Sequence, residues 1–132
     1  MPHFSKESQQ QINTCHHDMQ AIFKAVEHEI DCEVRCGHRT RTEQERRFAK
    51  GESGFHWPES LHNEKPSMAV DVIPADMDPK DVDRWHWFGG YVKGVADRLY
   101  AEGVVSHRLH WAGDKGDQEL SKLPHFEIYM PH

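Results

Sequence analysis

Three possible metal ligands, spread over half the chain, constrain the fold more than any other feature. His62 lies in Ser60-Leu61-His62, Asp71 in Ala69-Val70-Asp71-Val72, and His125 in Leu123-Pro124-His125-Phe126-Glu127. Two imidazoles and one carboxylate fill three positions around a tetrahedral zinc and leave the fourth for water. Water held there has a pKa near neutrality and serves as a hydrolytic nucleophile. Each residue sits beside apolar, β-prone neighbours, so each can be carried on a strand or at a strand's mouth. If the three form one site, the strand through Asp71 and the strand after Pro124 must be neighbours. A plainer reading stands beside this one. The chain has 12 histidines, and such triples then arise by chance. On that reading Asp71 is a strand-end cap, His62 a solvated loop residue and His125 a surface residue.

The hydrophobic pattern predicts helices and strands interspersed. Ile12, Cys15, Met19, Ile22, Phe23 and Val26 fall on one helical face, giving a helix from Ser8 to about His28 that Ser5 or Ser8 can cap. Asp31 to Gly37 alternates weakly, as in a short strand. Thr42 to Lys50 is a polar helix with Thr42 as N-cap and Gly51 past its end. Gly51 to Pro66 is a long loop. Met68 to Ile73, apolar and flanked by prolines, is a buried strand. Asp81 or Asp83 caps a helix to Glu102, with Trp85, Phe88, Val92, Val95 and Leu99 on one face and Gly103 ending it. Leu109–Trp111 and Phe126–Tyr129 are short strands separated by a polar loop from Gly113 to Ser121. The late loops are too short for helical crossovers, so the expected class is α+β, a small mainly antiparallel sheet with packed helices.

Length and charge exclude several functions. With 132 residues, one domain spanning 1–132 with one core is expected. A net charge of −6 argues against a nucleic-acid partner. No apolar run approaches the length of a membrane span. The opening Met1-Pro2-His3-Phe4-Ser5-Lys6 has no apolar signal core, which implies synthesis in the cytoplasm. Three cysteines, Cys15, Cys32 and Cys36, are an odd count and argue against a disulfide framework. Cys32 and Cys36 with His38 suggest a second zinc site, but no further Cys or His pair completes it. Buried thiols are the plainer reading.

Motifs in a fixed order then narrow the reading. Gly37-His38-Arg39-Thr40 with Gln44 is followed by His62-Asn63-Glu64-Lys65-Pro66-Ser67-Met68-Ala69-Val70-Asp71-Val72-Ile73-Pro74. Next come Phe88-Gly89-Gly90-Tyr91-Val92-Lys93-Gly94-Val95-Ala96-Asp97, Trp111-Ala112-Gly113-Asp114 and Pro124-His125-Phe126-Glu127. This ordered set, over about three quarters of the chain, resembles the zinc peptidase family of D-alanyl-D-alanine carboxypeptidases and L-alanyl-D-glutamate endopeptidases. Within it, the small single-domain phage endolysin branch is the nearest likeness. The His62-to-Asp71 spacing is longer than the more usual Ser-x-His-x-x-Gly-x-Ala-x-Asp. Pro66 and Ser67 can absorb the extra residues in a turn, and the longer spacing also resembles one in the phage branch.

The resemblance implies Zn2+ on His62, Asp71 and His125, and hydrolysis of an amide in the peptidoglycan stem peptide. It also implies a monomer that acts on the wall after other proteins release it through the membrane. Arg39 is implied to reach the substrate near the metal, where a guanidinium fork can hold a carboxylate or oxyanion. The alternative for Arg39 is a surface ion pair. Gln44 reads as a loop-orienting hydrogen bonder.

One position departs from the family. Three residues before the last His, the family carries the acid that takes a proton from the nucleophilic water. Here Lys122 stands there. An ammonium cannot accept a proton, and a dication repels it, so Lys122 is expected to turn away and the chain to hydrolyse poorly. Glu119 and Asp117 are the nearest acids that can substitute. Glu127 reads as a partner that orients a ligand His. Asp114 either orients a ligand or caps a turn, and Trp111 is either groove wall or core. His107 and His110 are alternative ligands, and the aromatics of His56-Trp57-Pro58 are placed to contact glycan. The remaining readings are a D-alanyl-D-alanine carboxypeptidase and a catalytically silent zinc protein that binds peptidoglycan.

Overall fold

A computed structural model describes residues 4–116 and 119–131. Four strands form one sheet: β1 (Cys32–Cys36), β2 (Ala69–Pro74), β3 (Arg108–Trp111) and β4 (His125–Tyr129), in the order β1-β2-β4-β3. Every pairing is antiparallel, which meets the α+β expectation. Among the described residues four α-helices accompany it: α1 (Lys6–Ile12), α2 (His17–Glu29), α3 (Arg41–Ala49) and α4 (Val82–Ala101).

Strand alternation divides the sheet into two faces. Val70, Val72, Phe126 and Ile128 point into the core, where Met19, Ile22, Phe23 and Val26 of α2 and Phe88 and Val92 of α4 cover them. Phe126 is the pivot, with ring centroids 5.3 Å from Phe23 and 6.0 Å from Phe88. Burying each such side chain contributes about 1.5–3 kcal/mol. The residues between them, Asp71, His125 and Glu127, are left for the other face.

Trp111 belongs to the core: it is 2% exposed and its Nε1 donates to the Leu123 carbonyl at 2.7 Å. Helix α4 approaches it at Gly89, where a Cβ would lie 2.6 Å from the indole. Gly103, at φ 75°, ends α4 as expected, and Asp81 caps its start.

Two local expectations are corrected. The predicted helix from Ser8 to His28 is two helices. Thr14 turns its hydroxyl back onto the Gln11 carbonyl at 2.6 Å, competing with the helical ladder. The Thr14 carbonyl and the His16 amide then both bond to Ser67, at 2.9 Å each, and pull the chain out of the helix. The cap of α3 is Thr40, not Thr42. Thr40 and Glu43 form a reciprocal capping box that starts the helix at Arg41, ahead of where Thr42 as cap would place it.

Candidate metal centre

Register brings two of the three ligands together. Asp71 on β2 lies directly opposite His125 on β4, so the two side chains share a face as a cross-strand pair. A register shift between Val34 and Cys36 sets Cys36 of β1 opposite Asp71 on the other side. The third ligand comes from the loop. A one-turn 3-10 helix, Leu61–Asn63, is capped reciprocally by Ser60 and Asn63, and it buries His62 to 1% exposure.

The atoms converge. The Oδ1 of Asp71 lies 3.2 Å from His125 Nδ1 and 3.4 Å from His62 Nε2, and one ligand atom from each residue lies within 4.8 Å of the others. His62 Nδ1 sits 2.7 Å from the Gly37 carbonyl. A carbonyl only accepts, so Nδ1 carries hydrogen and the lone pair of a neutral ring is on Nε2. That Nε2 is buried and has no hydrogen-bond partner: its approach to Asp71 is close but badly angled. A buried nitrogen without a partner is costly, and a cation beside Asp71 would satisfy it. The donor set therefore fits a metal ion.

The electrostatics of the three side chains agree. Burial opposes a charged His62, but Asp71 and the Cys36 thiol outweigh it and raise the pKa to about 9. His125 is raised too, against burial, by Asp71 and Glu127. Burial would push Asp71 up, yet the two imidazoles hold its carboxyl far below the usual carboxylate range. The pocket thus draws positive charge around one fixed carboxylate.

Supporting residues fix the ligands. Glu127 Oε2 lies 3.3 Å from His125 Nε2, close enough to orient that ring. Arg39 is 8% exposed and reaches into the same cleft. Its Nη2 donates to Asp71 Oδ2 at 3.3 Å and its Nε to Cys36 Sγ at 3.2 Å. The expected ion pair of Arg39 therefore exists, but with a candidate ligand and inside the cleft. Gln44 is fully buried and is the loop-orienting hydrogen bonder it was expected to be, bonding Ser53, the Phe55 carbonyl and Asn63.

The cleft is open, about 400 Å³, and is walled by the loop at Glu52–Phe55, by His110 and Lys115, and by Ser121 and Lys122. Lys122 is exposed and is among the residues that line this cleft. The one-turn helix Leu120–Lys122 delivers it to the rim. Glu119 caps that turn, is exposed and is not among the residues lining the cleft. Asp117 lies outside the described residues. Asp114 pairs with Lys93 at 2.9 Å on the surface. His110 faces Glu127 across the β3–β4 ladder and lines the cleft without joining the ligand group. Cys32 and Cys36 are free, buried thiols at opposite ends of β1.

Sequence reasoning missed Glu52, Phe55 and Lys115 as cleft residues, and Cys36 as a partner of Arg39 and His62. For Cys36 the signal is hidden, because the strand irregularity that aims it leaves no mark in the sequence. Missed too was a second cluster, His16, Asp18 and His107. There Asp18 Oδ2 accepts from His107 Nδ1 at 2.7 Å and from the amides of Ser106 and His107, while His16 Nδ1 accepts from the Asp18 amide as the cap of α2.

No family model matches the chain, and no curated protein matches it. Among solved structures, the L-Ala D-Glu endopeptidase ChiX of Serratia marcescens is similar, with a TM-score of 0.72 at 20% identity. The match covers 97% of this chain and 91% of that one. At that identity the likeness is one of fold.

Proposed function

We propose that the chain is a zinc-dependent hydrolase of the peptidoglycan stem peptide, of the L-alanyl-D-glutamate endopeptidase kind found among small phage endolysins. The carrying observation is the orphaned Nε2 of His62 beside Asp71 and His125 at the base of an open cleft. The similar fold of an L-Ala D-Glu endopeptidase supports the substrate class. His62, Asp71 and His125 would hold the zinc, which when bound supplies Lewis acidity and an activated water.

The chain's own residues set the rest of the chemistry. Glu127 holds the ring of His125 in place through Nε2. Arg39, anchored by Asp71 and Cys36, offers its remaining donors to a substrate carboxylate or a developing oxyanion. Lys122 lines the cleft where an acid would take the proton, and an ammonium accepts none. Glu119 is a poor substitute because it stands outside the cleft lining. Lys122 therefore favours a second reading, a zinc protein that binds peptidoglycan and cuts it slowly or not at all. On either reading the protein works on the wall as a monomer.

Lysis of permeabilised Gram-negative cells, followed by turbidity for the chain and for Lys122→Asp, tests this. Restoring the acid should raise the rate about 10²–10⁴-fold, the usual worth of general acid–base catalysis. Muropeptide mass spectrometry of the digest then separates the endopeptidase cut from loss of a terminal D-Ala. If neither form lyses cells while both hold zinc and bind sacculi, the silent protein is the correct reading.

A further inference from the structure

Beside the cleft, one loop and the helix before it expose three large rings. Phe55 is 52% exposed, Trp57 38% and, on the adjoining α3, Phe48 38%. Rings left in water cost free energy unless something covers them, and clustered exposure marks an interaction surface.

These rings are held firmly. Gln44 Nε2 bonds Ser53 Oγ at 2.9 Å and the Phe55 carbonyl at 2.8 Å. The next residue, Glu45, accepts the Trp57 amide at 2.8 Å and holds His56 Nδ1 at 2.8 Å. His56 in turn stacks on Phe48 with centroids 3.6 Å apart, and the Arg41 guanidinium lies 5.5 Å from the Trp57 ring centre. Gln44 Oε1 also accepts from Asn63, next to His62. The loop is thereby tied at a fixed distance from the candidate metal ligands. Prior ordering of this kind lowers the entropy lost on binding.

We propose that Phe55 and Trp57 form a saccharide-stacking surface that takes the glycan strand to which the stem peptide is attached. The inference rests on the peptidoglycan reading above. An aromatic face is electron-rich and accepts the C–H face of a pyranose ring. His56, Glu59 and Arg41 at the fringe supply donors and acceptors for hydroxyls, the usual make-up of a small-molecule site. The platform is continuous with the cleft, because Phe55 and its neighbours Glu52, Ser53 and Gly54 are part of the cleft wall. A glycan on the rings therefore presents its peptide toward His62. An anionic bilayer is a poor occupant: residues 51–60 carry Glu52 and Glu59 and no Lys or Arg.

The test is binding of the full chain to peptide-free glycan strands, prepared from sacculi by amidase digestion, and separately to free stem tetrapeptide, by calorimetry. Glycan strands should bind saturably, and Phe55→Ser and Trp57→Ser should each weaken that binding about tenfold, while Trp57→Ser, outside the cleft wall, should leave tetrapeptide binding unchanged. Trp87→Ser, which removes an exposed ring from α4, should change neither. Tetrapeptide binding without glycan binding would overturn the platform and leave the hydrolase reading intact. Glycan binding that depends on both rings, with no tetrapeptide bound or cut, would keep the platform and overturn the hydrolase. A dimer that Trp57→Ser dissolves, with no glycan bound, would give this surface to a second copy of the chain and overturn the proposal.

Discussion

Two clusters in this molecule have the same composition, two histidines and an aspartate, and opposite states. In the His16–Asp18–His107 cluster every inward polar atom has a partner. Asp18 takes the His107 ring and two backbone amides, and His16 uses its Nδ1 lone pair to cap α2. A neutral His16 then carries its hydrogen on Nε2 and has no lone pair left for a metal. In the His62–Asp71–His125 cluster His125 holds one carboxylate oxygen at 3.2 Å, and the buried Nε2 of His62, 3.4 Å from the same oxygen, makes no hydrogen bond. The first cluster is a finished latch between α2 and the segment before β3. The second leaves a buried nitrogen without a partner at the floor of a cleft. Composition and proximity alone do not distinguish them; hydrogen-bond satisfaction does.

The largest effect that would sharpen this contrast is on stability. Asp18→Ala removes the acceptor for several buried donors and should destabilise the fold by about 3 kcal/mol or more, read by urea denaturation. Its zinc content should not change. A loss of zinc without loss of stability would make the latch a metal site and erase the distinction.

Glu127→Gln acts on the other cluster. It weakens the partner of His125 Nε2 without touching a ligand atom, so zinc affinity should fall about 10–100-fold with the melting curve of the metal-free protein nearly unchanged. Equal zinc affinity would show that Glu127 does not orient the ring.

Dependence on pH separates the clusters more gently. The metal-free His62 has a pKa of about 9, raised over the ordinary 6.5. Its favourable contribution is therefore complete below pH 6.5 and lost as pH rises through 9, so the metal-free protein should soften over that window. A metal must displace the same proton, so zinc affinity should rise about tenfold per pH unit for each proton displaced and level off near 9. The latch works at the other end. Burial raises the Asp18 pKa, but His107 and the amides outweigh it and lower it below 3.8. Its contribution is present above 3.8 and lost on further acidification. Calorimetric titrations across pH check the first slope, and thermal melts check both windows.

The legible parts of the fold were those written in periodicity. The apolar run through β2 and the face of α4 from Trp85 to Leu99 lie where the pattern puts them, because a single core face dictates both. The cluster of His62, Asp71 and His125 was legible because each sits next to a strand or cap signal. What periodicity cannot carry is competition from distant partners. Ser67 breaks the first helix from more than fifty positions away, and the shift in β1 aims Cys36 at the ligands. Thr40 was recoverable, since Glu43 three residues on completes the box. The latch was not, because Asp18 and His107 are 89 positions apart.

Metal stoichiometry in three proteins tests the central claim most directly. After dialysis against zinc-free buffer, the unaltered chain and His107→Ala should each retain about one zinc per chain, and His125→Ala should retain none, as expected for a site with three protein ligands. Full zinc occupancy in His125→Ala, or its loss in His107→Ala, would contradict the assignment.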